Sequence, residues 1–362
     1  MEPSESYMRE ALELARLGKG RAEPNPMVGC VIVKDGVAVG RGYHRKFGGP
    51  HAEADALLHA GDRAEGADVY VTLEPCAHWG KTPPCTDALI KAKVKRVFAA
   101  MEDPFPQTHG IGPRKLREAG VAVEFGLLAD AARELNAPYL KLITQGQSYV
   151  IAKWAMSLDG KISTRTGDSK WISSDASRRV VHELRNDAAA VMVGLGTVLQ
   201  DDPELTCRLD GGRNPCRIIV DSSARTPVES RLVRTARDIS TIIAVTQAAP
   251  PQRVKALEDA GCAVLRLDSA DGRVDVRHLL RETAAMRLTN VLVEGGSRLL
   301  GSMFESGMVD EVRVFVAPIV IGGQAATTPV AGQGVAAIAE SLRMRKIDIR
   351  RIGDDFMIEA RI

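Results

Sequence analysis

The stretch from His51 to Cys85 constrains this chain more than any other. It reads Pro-His-Ala-Glu over 50–53, Thr-Leu-Glu-Pro-Cys over 72–76 and Thr-Pro-Pro-Cys over 82–85. One imidazole, one carboxylate and two thiols fall in a short span, the set that a mononuclear zinc hydrolase needs. Zinc takes His nitrogen and Cys sulfur at tetrahedral corners, and three protein ligands leave the fourth for water. Water held there has a pKa near ~7, so hydroxide is available at neutral pH. His51, Cys76 and Cys85 are the expected ligands. Glu53 is the expected catalytic carboxylate, close to that water without binding metal. A structural zinc knot would close the fourth corner with another Cys or His, and Cys30, His44 and His78 are the candidates for that reading.

His-x-Glu followed by Pro-Cys and a later Cys is the layout of zinc nucleobase deaminases. One feature departs from it: residues 77–84 separate the cysteines here, where the commoner pattern is Cys-x-x-Cys. That insertion is expected to form a loop at the site mouth, with Trp79 either stacking on a ring or covering the loop. Asn25, between Pro24 and Pro26, is either a fixed polar group or an ordinary turn residue. His59 and His109 read as surface or hydrogen-bonded side chains.

At 362 residues the chain is long enough for about two domains. Lys and Arg number 48 against 46 Asp and Glu, a net +2, which argues against a nucleic-acid-coating protein. No apolar run approaches the ~18 residues of a membrane span. The first residues, Met-Glu-Pro-Ser-Glu-Ser, do not read as a signal peptide. Two of the six cysteines belong to the metal pattern and the rest show no framework spacing, as expected in a reducing, cytoplasmic setting.

Periodicity predicts an α/β chain. A helix over 4–17 carries Met8, Ala11, Leu12 and Ala15 on one face and stops at Gly18. Strands at 28–33 and 37–43 flank an Asp35-Gly36 hairpin turn. A helix opened by Pro50 and running through Leu58 places His51 and Glu53 in its first turn. A strand over 69–73 is followed by Pro75, a good first helical residue, which sets Cys76 at a helix N-terminus. Helices at 86–92 and 113–119, strands at 94–101 and 121–125, and one helical stretch over 129–142 lead to a boundary at 145–148. The expected domains are 1–146 and 147–362. The second half opens with a strand at 149–155 and a turn at 157–161. Ser173 or Ser174 caps a helix ending at Arg185. Strands at 189–194, 217–221, 241–245, 263–267 and 291–294 alternate with helices at 252–260, 276–286 and 297–305. Strands at 311–316, 346–351 and 356–362 follow, the last two joined at Gly353-Asp354. Such alternation implies a largely parallel sheet covered on both faces. No metal or nucleophile pattern appears in this half. Gly194-Leu195-Gly196-Thr197 and Glu294-Gly295-Gly296-Ser297 could offer backbone N–H groups to a phosphate at helix starts, or serve packing alone.

Ordered motifs run through nearly the whole chain: Asn-Pro-Met-Val-Gly-Cys at 25–30, the His51–Cys85 set, Asp-Pro-Phe-Pro at 103–106, Ala-Met-Ser-Leu-Asp-Gly-Lys at 155–161, His-Glu-Leu-Arg at 182–185, the run at 193–208, Leu-Val-Glu-Gly-Gly at 292–296 and Ala-Pro-Ile-Val-Ile-Gly-Gly at 317–323. In these the chain resembles the bifunctional deaminase–reductase family of riboflavin biosynthesis. The family usually has Asn at the position of Phe105 and Val at that of Thr108. The resemblance implies a cytidine-deaminase-like domain followed by a dihydrofolate-reductase-like domain, zinc and NADPH as cofactors, and a homo-oligomer, dimer or tetramer. It implies hydrolytic deamination of a diaminopyrimidinone carrying a ribosylamino 5′-phosphate, then reduction of the ribosyl to a ribityl chain. By motif, Ala155, Trp171, Thr197, Asp201, Ser223 and the loop Gly296, Ser297, Arg298, Leu299, Leu300, Gly301 and Ser302 are the implied NADPH contacts. Ser169, Arg185, Leu205, Arg208 and Glu294 are the implied substrate contacts. Lys153 and Asp201 are implied to position the proton or the imine. The competing readings are a polynucleotide deaminase, which would want more than 4% aromatic residues and a basic surface, a non-enzymatic zinc and nucleotide-binding module, and a deaminase with a decayed second half.

Overall fold

A computed structural model describes residues 3–362, which divide into two compact units, one ending at Gly146 and the other Gln147–Ile362. In the first unit the elements are α1 (Pro3–Arg16), β1 (Gly29–Lys34), β2 (Val37–Tyr43), α2 (Ala52–Ala60), β3 (Asp68–Val71), α3 (Cys85–Lys91), β4 (Arg96–Ala99), α4 (Ile111–Glu118), β5 (Ala122–Phe125), α5 (Ala129–Leu135) and α6 (Ala137–Gln145). They build a five-stranded sheet in the order β2-β1-β3-β4-β5. The β1–β2 and β1–β3 pairs are antiparallel, and β3–β4 and β4–β5 are parallel.

β1 sits in the middle of the core because its Gly-Cys-Val-Ile-Val run is apolar on both faces. Successive side chains alternate across a strand. Cys30 and Ile32 therefore pack with Ala52, Ala56 and Ala60 of α2, Leu89 of α3 and Leu116 of α4. Val31 and Val33 pack the other way, with Met8, Ala11 and Leu12 of α1 and Ala132 of α5. α2 lies unusually close to the sheet. A Cβ on Gly42 would come within 2.3 Å of Ala56 N and 2.4 Å of Ala52 O, so only glycine lets the alanine-rich helix seat there. That seating fixes where His51 and Glu53 stand.

Two elements differ from the sequence-based expectation. The chain after Pro75 does not become helical; it folds back as a loop until α3 starts at Cys85. The stretch over 129–142 is two helices, not one. Asn136 interrupts it: its side chain accepts from Met27 N at 2.8 Å and donates to Met27 O at 3.0 Å. Pro138, which has no N–H to give, sits in the first turn of α6, a position that tolerates it.

The second unit contains β6 (Tyr149–Ser157), α7 (Asp175–Asp187), β7 (Ala190–Gly194), α8 (Leu195–Asp201), β8 (Cys216–Val220), α9 (Arg231–Arg234), β9 (Thr241–Thr246), α10 (Pro251–Asp259), β10 (Ala263–Leu267), β11 (Ser269–Ala270), β12 (Arg273–Val274), α11 (Val276–Ala285), β13 (Asn290–Val293), α12 (Ser297–Glu305), β14 (Glu311–Ala317), β15 (Arg345–Ile352) and β16 (Asp355–Arg361). The main sheet has nine strands in the order β10-β9-β8-β7-β13-β6-β14-β16-β15. It is parallel from β10 to β14, and β16 and β15 return antiparallel. Ala190 and Met192 of β7 face a core shared with α11 and α12, while Val191 and Val193 face one shared with α9 and α10. Ser174 caps α7 by accepting from Ser177 N. Asp355, not foreseen, holds that cap by accepting from Ser174 N, Ser174 Oγ and Ser177 Oγ. The short helix α8 begins at the helix start expected over Gly194–Thr197, while the short helix α9 was not foreseen. Coverage on both faces fails at the edge: β15 is solvent-exposed along nearly its whole length.

Candidate functional site

In the first unit three elements bring the donors together. His51 is the residue preceding α2, Glu53 lies in its first turn, Cys76 sits on the loop after β3, and Cys85 begins α3. His51 Nδ1 is 3.5 Å from Cys76 Sγ and 3.3 Å from Cys85 Sγ. The three donor atoms lie within 4.8 Å of one another, and no other His, Cys, Asp or Glu among the described residues joins the group. Cys76 does not open a helix, as Pro75 suggested. It faces the start of one: the Cys85 N–H points at Cys76 Sγ at 3.4 Å, and Thr86 N donates to Cys76 O at 3.1 Å. Hydrogen bonding from Cys85 pulls the Cys76 thiol down, so the pair holds a thiolate. This nitrogen-and-sulfur donor set, half-buried and partly ionised, fits a zinc ion.

The candidates for a fourth protein ligand are engaged elsewhere. His44 Nδ1 is 2.9 Å from Pro50 O, so it carries the proton, and Nε2 accepts from Asn25 Nδ2 at 3.1 Å. Burial keeps His44 neutral, and its ring stands edge-on to His51 at 5.4 Å. Asn25 is thus a fixed polar group. Burial pushes the Cys30 thiol up, leaving it neutral in the core of the sheet. His78 Nδ1 meets Thr108 Oγ1 at 3.4 Å, and its ring lies 6.0 Å from Phe105. The two residues that depart from the family pattern therefore both stand beside the insertion loop. Glu53 is 3% exposed, and burial lifts its carboxyl to about 7, with the Cys76 charge adding to the effect.

Glu74 and Asp103 were missed in the sequence. Burial raises Glu74 to about 7, and its Oε2 accepts from Asp103 N at 3.2 Å. Asp103 Oδ1 in turn accepts from Phe105 N at 3.0 Å and from Tyr139 Oη at 2.8 Å. This brace fixes the 103–110 loop, and the only signal for it was the presence of acids in two motifs.

In the second unit Lys153 on β6, Arg185 on α7 and Glu294 after β13 form one buried ion cluster. Arg185 Nε and Nη2 donate to Glu294 Oε1 at 2.6 Å and Oε2 at 2.9 Å, and Lys153 Nζ is 3.3 Å from Oε2. Burial alone would raise Glu294, but Arg185 and Lys153 outweigh it and hold the carboxyl at about 2. Ser169 Oγ lies 3.3 Å from Asp201 Oδ1, and Lys170 Nζ 3.6 Å from the same carboxylate. Trp171 is 68% exposed, with Arg178 stacked 4.7 Å from its ring centre. Ala155 is on β6 opposite Phe315. Thr197 lies in the first turn of α8 and faces Gly296, and Gly194 N donates to Gly295 O at 2.9 Å. The stretch 296–302 is not a loop. It is the start of α12, where Leu299, Leu300 and Gly301 are buried, because a helix must turn one face to its core. That leaves Arg298 exposed, with Gly296, Ser297 and Ser302 half-buried. Leu205 packs into the core and anchors its loop, while Arg208 is exposed and paired with Glu204 at 2.8 Å. Ser223 is exposed after β8.

The family profile for the cytidine and deoxycytidylate deaminase zinc-binding region matches residues 1–101, and that for the RibD C-terminal domain matches 148–358. The riboflavin biosynthesis protein RibD of Actinobacillus pleuropneumoniae is 42% identical over 353 residues, covering 98% of this chain and 94% of the relative. The protein of the same name from Escherichia coli K12 is 40% identical over 370 residues, with 97% of each covered. Acinetobacter baumannii RibD has a solved structure that superposes with a TM-score of 0.89 at 36% identity, covering 99% of this chain and 98% of that one. A Thermotoga maritima structure, described as a diaminohydroxyphosphoribosylaminopyrimidine deaminase and 5-amino-6-(5-phosphoribosylamino)uracil reductase, gives 0.86 at 35% identity over the same shares.

Proposed function

Because this chain belongs to the RibD family of bifunctional riboflavin-biosynthesis enzymes, we propose an assignment of its two reactions to the residues described above. The enzyme is a zinc-dependent deaminase and an NADPH-dependent reductase with the cytidine-deaminase-like and dihydrofolate-reductase-like folds that those activities use. The first reaction removes the amino group of 2,5-diamino-6-ribosylamino-4(3H)-pyrimidinone 5′-phosphate, and the second converts the ribosyl to a ribityl chain.

His51 Nδ1, Cys76 Sγ and Cys85 Sγ would hold zinc, which when bound supplies an activated water. Glu53 would take one proton of that water and pass it to a ring nitrogen as the hydroxyl adds to carbon, then carry the proton of the added hydroxyl to the amino group, which leaves as ammonia. A buried carboxyl near pH 7 can both accept and donate a proton at working pH. Asn25 and Pro50 O hold His44 in one tautomer against the His51 ring. One observation carries this reading: three nitrogen and sulfur donors converge beside a buried glutamate, with no fourth protein ligand among the described residues.

In the second unit, NADPH supplies the hydride, and the protein orients it. We assign Ala155, Trp171, Thr197, Asp201, Ser223, Gly296, Ser297, Arg298 and Ser302 to the cofactor, with Leu299, Leu300 and Gly301 supporting them from the core. Ser169, Arg185, Arg208 and Glu294 serve the pyrimidine substrate, and Leu205 sets the loop that carries Arg208. Lys153, tied to Glu294, positions the ring-opened sugar. The test is a coupled assay on the diamino substrate, reading ammonia first and NADPH oxidation second. Glu53→Gln should retain zinc and release no ammonia; an active variant refutes the assignment.

We further propose a cytoplasmic homo-oligomer. Among the described residues no helix is long and apolar enough to cross a membrane, and the described cysteines are all free. Ile347 and Ile349 on β15 and Phe356 on β16 are 59%, 61% and 48% exposed, an apolar patch that a second copy would cover. Ile349→Lys should shift the mass seen by light scattering toward the monomer.

A further inference from the structure

The connection between β14 and β15 runs from residue 318 to 344 and contains one short turn of helix, Ile338–Glu340. Loops beyond about 12–15 residues with no structure of their own are ordinarily lids, binding loops or linkers. The first half of this one is tied to the loop after β6 and to the start of α12. Leu158 N donates to Ile319 O at 2.8 Å, and Ile162 N to Thr327 O at 2.9 Å. Ile321 N donates to Asp159 Oδ1 at 3.0 Å and Gly322 N to Asp159 Oδ2 at 2.7 Å, while Ser157 Oγ donates to Oδ1 at 2.6 Å. Ala331 N donates to Ser297 O at 3.2 Å. Gly301 lets the chain lie close to α12 there, since a Cβ would come within 2.0 Å of Ala331 O.

The tie points follow one edge of the sheet. β14 pairs with β6 and β6 with β13, all parallel, so the loops after them leave the same edge, and α12 begins on the last of them. From β14 to β13 is about 10 Å, two strand spacings. Ligands of open parallel sheets bind beyond the carboxyl ends of the strands, and 318–331 borders that edge beside Glu294 and Ser297. Packing does not fix its first part, because no side chain over 318–325 is buried. Gly322 and Gly323 stand at φ 68 and 85, where glycine turns without strain. A segment with no buried apolar contact opens at little cost, so its position depends on hydrogen bonds. One side chain, Asp159, accepts two of them. Hydrogen bonding, from Ser157 first and then from Ile321 N and Gly322 N, holds its carboxyl at about 2, so it is charged at working pH.

We propose that 318–331 is a lid over the reductase cleft and that Asp159 is its latch, a positioning residue that touches no reacting atom. The proposal rests on the reductase assignment above, and the chemistry of that reaction gives a lid a purpose. The ring-opened sugar is joined to the pyrimidine as an imine. Hydride at C1 and a proton at nitrogen give the ribityl amine. Water at the same carbon instead adds its oxygen to C1 and its protons to nitrogen, the C1–N bond breaks, and a free sugar phosphate parts from the aminopyrimidine. A closed site excludes that water.

The test uses zinc-loaded full-length enzyme. Without ligands, Asp159→Ala should speed amide hydrogen exchange over 318–325 about 10- to 100-fold, the loss of two charge-assisted hydrogen bonds. Its Tm and its ammonia release should match the parent. In single turnovers with enzyme in excess, the sugar phosphate released per NADPH oxidised should rise about tenfold. Asp159→Asn, which keeps one acceptor oxygen, should fall between the two. Unchanged exchange overturns the latch. An unchanged ratio overturns the lid, even where the rate falls, because a general loss of structure slows the reaction without opening it to water. A parent enzyme that oxidises no NADPH on the deaminated pyrimidine sinks the reductase assignment itself; a parent that does, beside an Asp159→Ala variant with the same ratio, sinks the lid alone.

Discussion

Replacing Glu294 with Gln should destabilise the second unit by a calculable amount. The carboxylate accepts two hydrogen bonds from Arg185 and one from Lys153, and its side chain is only 6% exposed. Those cations outweigh burial and hold it at about 2, against 4.5 for a free glutamate. At 1.36 kcal/mol per unit, the charged form gains about 3 kcal/mol on folding. Removing one partner of a buried pair costs about 3–5 kcal/mol, so the two routes agree. For a unit of this size that lowers Tm by roughly 6–12 °C. The folded pKa is depressed, so the stabilisation is complete above the unfolded value and disappears as pH falls through the folded one. The gap between parent and variant should be constant from pH 8 to about 5, then narrow from about 4.5 toward about 2. Scanning calorimetry on the full chain, with hydrogen exchange at β6 and β13 to identify the melting unit, reads both effects. A variant melting within a degree of the parent at pH 7 would show that the three charges are solvated rather than buried together. The reasoning would then fail.

Three further outcomes follow from the same geometry. Cys76→Ser should lose zinc, read by metal analysis, and abolish ammonia release, because a neutral hydroxyl replaces the thiolate that Cys85 and His51 stabilise. Asn136→Leu should cost about 2–4 kcal/mol, measured by urea unfolding of the first unit, since it orphans both Met27 N and Met27 O in the core. Arg208→Ala should raise the reductase KM for the pyrimidine about tenfold; a loss of both activities together would indicate misfolding.

Much of the fold was legible because the signals were local. The Asp35-Gly36 turn, the β10 strand and helix α12 fall where periodicity and turn chemistry put them. The expectations failed where a distant partner decided the outcome. Nothing near Asn136 says that its side chain will reach back to Met27, and without that contact a helix over 129–142 is the natural reading. Pro75 is a sound first helical residue. It starts no helix here because the main chain at 75–76 is held from outside: Gly112 packs against Pro75 O so tightly that a Cβ would come within 2.0 Å, and Cys76 O accepts from Thr86 N.

The two sites differ in legibility for a chemical reason. Zinc restricts its ligands to a few residue types, so His51, Cys76 and Cys85 identify one another in sequence before any contact is known. Lys153, Arg185 and Glu294 are common residues on three separate elements, and only the parallel arrangement of β6 beside β13, with α7 packed nearby, makes them a cluster. Family resemblance named Arg185 and Glu294 but could not say that they neutralise each other, nor that Leu299 and Leu300 face the core.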